Sequence, residues 1–361
     1  MLLWGGLLVF YSLCALLDVL GAFKHVNRKF LSGILLLPLA ILVAFRAEYV
    51  GPDTHNYIRN YAVFAKYQSL GDALKNAKME DGFVFFGYLC SKVGISYQGF
   101  QVLISSFIFY SFYRFVHKYS PYIAVSCFLI YANFYVFGSM NVVRMWMAVT
   151  VLLFAVESFT KNQLKKFIII VLLASLFHVS ALCFLVAYPL QKVHWSLGKT
   201  SSIFLCATGI SVFAYPICKI LFSIIGKYEN YLSRFGNSNL LTAFLDLLIE
   251  FLFFAFLTLV CKKHITKDTS ESKLIQLLYT LQIISVCVSV VGFSNNIMGR
   301  VAYYFTAFSA VGIPMGISKI KISSSRLIFS TVLILCLCAK FFVILGLRPE
   351  WYCVVPYGFF V

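Results

Sequence analysis

Apolar stretches close to the ~17–25 residues that cross a bilayer as helix recur near positions 2–20, 31–45, 97–115, 121–138, 140–159, 200–225, 240–261, 274–292, 299–317 and 327–346. A chain patterned in this way cannot hide its apolar surface from water: 61% of its residues are hydrophobic and 12% charged, so lipid must be its solvent. Lipid offers no partner to a backbone N–H or C=O, and runs of this length satisfy both only as helices. The expected fold is therefore all-α, a polytopic transmembrane helical protein forming one integral membrane domain over 1–361.

The loops orient these spans. Lys24, Arg28 and Lys29 follow the first; Arg114 and Lys118 the third; Lys161, Lys165 and Lys166 the fifth. Lys262, Lys263, Lys267 and Lys273 form another group, and Lys319, Lys321 and Arg326 the last. The excess of cations in cytoplasmic loops places all of them inside. Residues 167–190 then pose a parity problem, because basic residues flank both ends. Two crossings are required, yet at ~1.5 Å per residue the segment gives roughly 36 Å of helix, about one span. A pair of short helices meeting within the membrane at His178-Val179-Ser180 resolves this, and such breaks are tolerated where they line a cavity. The expectation is about twelve membrane segments including this broken pair, both chain ends outside, and one long external loop over about 46–82. In that loop Tyr57, Tyr61, Phe64 and Leu70 have the spacing of an interfacial amphipathic helix.

The formal charge of +17 is spread between apolar segments and makes no continuous stripe, so nucleic acid is not an expected partner. The 11 cysteines lie mostly in apolar runs with neither zinc nor disulfide spacing and read as small hydrophobes. The first span has no basic region before it and no small-residue cleavage site after it, as expected of a retained helix.

Against this background a few polar residues require an explanation. Arg46 ends the second span and begins the polar stretch Arg46-Ala47-Glu48-Tyr49-Val50-Gly51-Pro52-Asp53-Thr54-His55-Asn56-Tyr57, whose Gly-Pro pair forces a turn. Asp53 is either a ligand-facing carboxylate or the N-cap of the next helix. Arg144, in Asn141-Val142-Val143-Arg144, lies about one turn inside the fifth span, where it either snorkels to the headgroups or coordinates a phosphate. Arg300 repeats the arrangement in Asn295-Asn296-Ile297-Met298-Gly299-Arg300, and Arg348 adds another outside cation. Arginines gathered on the face that disfavours cations call for an anion, and a membrane-bound diphosphate is the obvious one. Glu80-Asp81 is the one adjacent carboxylate pair in the external segments, so metal ligation is unsupported and no cofactor is expected. His178 is either a packed histidine or a base, since a neutral imidazole suits removal of a proton from a hydroxyl. Asp246 and Glu250, at i and i+4, are expected to pair with Lys219 or Lys340.

In order along nearly the whole chain, Arg46 with Gly51-Pro52-Asp53-Thr54 and Tyr57, Gly82-Phe83, Asn141-Val142-Val143-Arg144-Met145, Phe177-His178-Val179-Ser180-Ala181, Arg300 with Tyr303-Tyr304, and Pro356-Tyr357 resemble the EpsG family of Wzy-type polysaccharide polymerases. Pro52 and Met145 depart from it, the family often having Thr and Gln there. The resemblance implies polymerisation of oligosaccharide repeat units carried on undecaprenyl diphosphate, at the outer face of the bacterial plasma membrane, into O-antigen, capsule or exopolysaccharide. Implied partners are the lipid-linked oligosaccharides, the bilayer and a chain-length regulator protein. Arg46, Arg144 and Arg300 are then assigned to the diphosphate, His178 or Asp53 to the base, and Tyr57, Tyr303 and Tyr357 to stacking on sugars. The rival readings are a flippase for the same lipid, which should carry its cations along a path through the membrane, and an O-antigen ligase, which differs only in its acceptor.

Overall fold

A computed structural model describes residues 1–225, 240–265, 269–293 and 296–360. Lys267 and Asn295, used above, lie outside them. The described residues are mostly helical, with one isolated antiparallel bridge, Arg46 to Phe359, and no strand among them.

The helix α1 (Leu2–Val19) buries Trp4, Leu8, Tyr11 and Ala15, one stripe at helical spacing. Asn27 caps α2 (Arg28–Ala44), its side chain accepting from the amides of Lys29 and Phe30. The segment read as a long loop carrying one amphipathic helix holds α3 (Thr54–Phe64), where that helix was expected, and also α4 (Leu70–Asn76) capped by Ser69 and the start of α5 (Asp81–Lys92). Then follow α6 (Tyr97–Tyr119), α7 (Ile123–Ala132) and α8 (Tyr135–Asn141); the last two are an apolar pair bent by 49°. The bend lies at Phe134, whose φ of 63° is left-handed and whose ring stacks on Tyr352 at 4.9 Å and Phe341 at 5.2 Å. A 3-10 turn joins α9 (Val143–Leu152) to α10 (Val156–Thr160), and α11 (Leu164–Ser175) follows. After a 3-10 stretch over Val179–Val186 come α12 (Ala187–Leu190), α13 (Leu197–Val212), α14 (Ala214–Ile225), α15 (Leu240–Cys261), α16 (Ser270–Gly292), α17 (Asn296–Val301), α18 (Tyr303–Thr306) and α19 (Ser309–Ser318). The last long helix is α20 (Ser323–Leu347).

Two compact units result, one from Met1–Cys183 with Ile320–Val361 and the other from Phe184–Lys319. In the first, α1 packs on α7 and α20, and α2 on α6 and α7. Side chains of one helix satisfy backbone groups of the next: the Tyr11 hydroxyl donates to the Leu35 carbonyl at 2.6 Å, and Asp18 accepts from the Ala124 amide at 2.7 Å, capping α7 from α1. Arg28 donates to the carbonyl of His117 at 3.0 Å, closing the end of α6. In the second unit α13, α15 and α19 pack on α16. Gly316 lets α19 approach α15 closely, since a β-carbon there would stand 2.6 Å from the Phe256 ring. The buried Glu250 accepts from Gln282 and from Ser285, both at 2.6 Å. Both donors stand on α16, and Lys340 sits 5.9 Å over the Phe134 ring.

Among the described residues six helices are long and apolar enough to cross a membrane, and eight if each bent pair counts as one span. The chain is a multi-pass membrane protein on that ground. The other expected segments are helices of sub-spanning length, notably the 17-residue α2 and the apolar helices Val179–Leu190 and Leu197–Val212.

Candidate functional site

Arg46 follows the end of α2 and is almost fully buried, 2% exposed. Its guanidinium donates to the carbonyls of Val43 at 2.6 Å and Met140 at 3.2 Å, and its Nε has no acceptor. Backbone bonds explain why a charged residue can be held there. The Ala47 amide donates to Gly358 at 2.8 Å, the Phe360 amide to Phe45 at 2.8 Å, and the Gly51 amide to Cys353 at 2.9 Å, so the segment 353–360 clasps the Arg46 turn. The Tyr357 hydroxyl donates to the Leu42 carbonyl at 2.8 Å, and Gln101 on α6 donates to Ala44 at 2.9 Å and Arg46 at 3.2 Å. Gly51 is required by the turn: its φ is +92°, and a β-carbon would stand 2.9 Å from Asn141 Oδ1.

Directly after this turn α3 presents Tyr57, whose phenol interacts electrostatically with Arg144 and whose ring meets Phe83 at 5.7 Å. Arg144 stands in the first turn of α9, as the sequence indicates, and donates through Nη1 to Glu80 at the N-cap of α5. Its buried Nε, like that of Arg46, has no acceptor. Burial holds Arg46 below the ordinary guanidinium value, against the electrostatic influence of Tyr97, Tyr57 and Tyr357. Burial also pushes the Tyr57 phenol up; the neighbouring Arg144 acts in the opposite sense, and Asp53 reinforces the rise. Arg46, Tyr57, Tyr97, Gln101, Ser105 and Ser139 line a narrow cavity with about 290 Å³ of empty volume including its mouth.

Asp53 occupies the N-cap position of α3, but its carboxylate makes no capping bond. Thr54 is instead turned back, its hydroxyl donating to Val50 at 2.7 Å. Capping therefore does not account for Asp53, which is half-buried beside Tyr57. His178 lies where α11 gives way to the 3-10 stretch, at the junction read from parity. Its Nδ1 is 2.6 Å from Ser180 Oγ. Two residues before it, the Leu176 carbonyl accepts from the Gly82 amide at 2.9 Å, which ties the start of α5 to the break.

Five of the sequence-derived residues thus fall in one neighbourhood of the first unit: Arg46, Asp53, Tyr57, Arg144 and Tyr357. His178 belongs to the same unit. Tyr357 is committed to the clasp, its hydroxyl on Leu42 and its ring edge-on to Trp4 at 5.3 Å. Arg300 is exposed on α17 and Tyr303 is half-buried on α18, both in the second unit. Arg348 is taken up locally, 3.7 Å from Glu350 and 5.9 Å over Trp351. Sequence reasoning missed Glu80 as the partner of Arg144, and it missed Tyr97 and Gln101. Gln98 and Gln101 carried a usable signal, being two amides at i and i+3 entering an apolar span. Among the described residues no three His, Cys, Asp or Glu side chains form a group that could hold a metal.

No curated protein and no solved structure matches this chain. The sequence model of the EpsG family matches residues 29–359.

Proposed function

Because the chain belongs to the EpsG family, a family of Wzy-like polymerases, we propose that it joins undecaprenyl-diphosphate-linked oligosaccharide repeat units into O-antigen, capsule or exopolysaccharide. The reaction takes place at the outer face of the bacterial inner membrane. A hydroxyl of one lipid-linked unit attacks the anomeric carbon of the other chain; the new glycosidic C–O bond forms as the bond to the diphosphate oxygen breaks. The acceptor proton passes to a base, and polyprenyl diphosphate leaves. The sugar arrives activated, so the protein's tasks are to align two substrates, take one proton and hold the leaving charge.

The observation that supports this most is the pair Arg46 and Arg144, both interacting with Tyr57 and each with a buried Nε–H that has no acceptor. An unused guanidinium donor suits a phosphate oxygen, and the planar fork suits a diphosphate better than a single charge; Arg46 also lines the cavity. Asp53, next to Tyr57, and His178, at the helix break, are the two candidate bases. Tyr57, beside both arginines, is the proposed sugar-stacking ring. Purified protein incubated with lipid-linked repeat units tests the reading: a ladder of lengthening products is expected, and Arg144→Ala abolishes it. Substrate that crosses a vesicle membrane unchanged would establish a flippase instead.

A further inference from the structure

The partner of Arg144 is an acid, and its placement is unusual for a residue at a helix start. Glu80 is the N-cap residue of α5, yet its carboxylate makes no bond to the free amides of that helix. It is turned to Arg144, where it engages Nη1 through one oxygen and leaves the neighbouring Nε without an acceptor. A carboxylate that stabilised a structural pair would be expected to take both corners of the fork. The contact is also accessible, with 27% of the Arg144 side chain and 17% of Glu80 exposed. The backbone around Glu80 is fixed, because the Phe83 and Val84 amides donate to its carbonyl at 3.0 Å and Gly82 is pinned to Leu176. Only the carboxylate is free to move.

We propose that Glu80 is a positioning residue that acts as an intramolecular stand-in for the substrate diphosphate: it compensates Arg144 when the site is empty, yields the guanidinium to the incoming diphosphate, and reclaims it as polyprenyl diphosphate leaves. The inference rests on the assignment of Arg144 to the diphosphate made above. Guanidinium accepts carboxylate and phosphate in the same geometry, so the two compete for one surface. A carboxylate left beside a bound diphosphate repels it, which weakens retention of the spent lipid and speeds its release. In a half-buried site an unpaired guanidinium is costly, and the exchange keeps it paired in both states.

The test compares binding of undecaprenyl diphosphate by the wild-type chain, Glu80→Gln, Glu80→Asp and Arg144→Ala in lipid nanodiscs, together with polymerisation kinetics. Loss of the competing carboxylate is expected to tighten binding about fivefold in Glu80→Gln, with KM and kcat falling together as release becomes slower. Glu80→Asp, which withdraws the charge by one methylene, shifts the same way by a smaller factor and serves if the Gln variant does not fold. Arg144→Ala weakens binding. Unchanged or weaker binding by the folded Glu80 variants, with Arg144→Ala still impaired, overturns the stand-in role and leaves the diphosphate assignment intact. Binding undiminished in Arg144→Ala removes that assignment and the inference with it.

Discussion

The amide of Gly82 donates to the carbonyl oxygen of Leu176 at 2.9 Å, and a β-carbon on Gly82 would stand 2.8 Å from that same oxygen. The start of α5, which carries Glu80, and the end of α11, which leads to His178, therefore meet backbone to backbone. A methyl group at Gly82 must push the two apart. Gly82→Ala is expected to cost about 1–3 kcal/mol of stability and to lower polymer formation further than that loss alone explains. Gly71→Ala on α4, with its nearest neighbour at 3.8 Å, changes neither. Thermal unfolding and product ladders of the two purified variants check this.

Arg46 supplies two carbonyls, Val43 and Met140, that lie in different directions. A lysine has one ammonium at the end of a flexible stem and reaches one of them at most. Arg46→Lys is expected to lose at least about 2 kcal/mol, the scale of a hydrogen bond to a buried charge, and at least ~10-fold in rate, about 1.4 kcal/mol of transition-state stabilisation. Retention of wild-type stability and rate by this variant counts against a role for the fork geometry.

Tyr57→Phe keeps the ring against Phe83 and deletes the hydroxyl that faces Arg144. Stability should fall by about 1 kcal/mol while polymerisation falls several-fold. Tyr57→Ala, which also loses the ring contact, is expected to forfeit roughly another 0.5–1.5 kcal/mol. Unfolding curves together with initial rates separate the hydroxyl's part from the ring's.

The Tyr357 phenol is pushed up to about 12 by burial, with Arg46 acting the other way. From the ordinary phenol value near 10 up to about 12 the unfolded chain has released this proton and the folded chain retains it, so stability falls as pH rises through that window. Below it the group contributes no pH dependence. Tyr357→Phe is expected to flatten the fall in unfolding temperature between pH 10 and 12. The same variant loses the bond to Leu42 and is less stable at neutral pH by about 1 kcal/mol.

What was legible in the sequence is what membrane energetics penalises. Arg46 and Arg144 stood out because a cation beside or inside an apolar run needs a reason, and both lie beside Tyr57. The break at His178 was readable because 167–190 is too short for the crossings its flanking charges demand. Contacts with no local signature stayed hidden. Glu80 looked like one of two adjacent acids in a loop, since nothing nearby in the chain announces a partner on α9. Within 46–82 the spacing of Tyr57, Tyr61 and Phe64 marked a helix, which is α3, whereas α5 carried no such mark; the two bury Tyr61, Phe64 and Phe83. Asp53 fitted an N-cap by position, yet capping depends on side-chain torsion, which composition does not specify.

The clasp on the Arg46 turn also sets a schedule. The acceptor at Leu42 and the donor at Tyr357 are 315 residues apart, and every backbone bond to the segment 353–360 waits for that segment to leave the ribosome. At typical synthesis rates that interval is on the order of tens of seconds, during which α2, α6 and α9 can be inserted while Arg46 still lacks its cover. The Arg46 turn therefore stays uncovered in the nascent chain until residues 353–360 have emerged, and the clasp closes late on a segment made long before it.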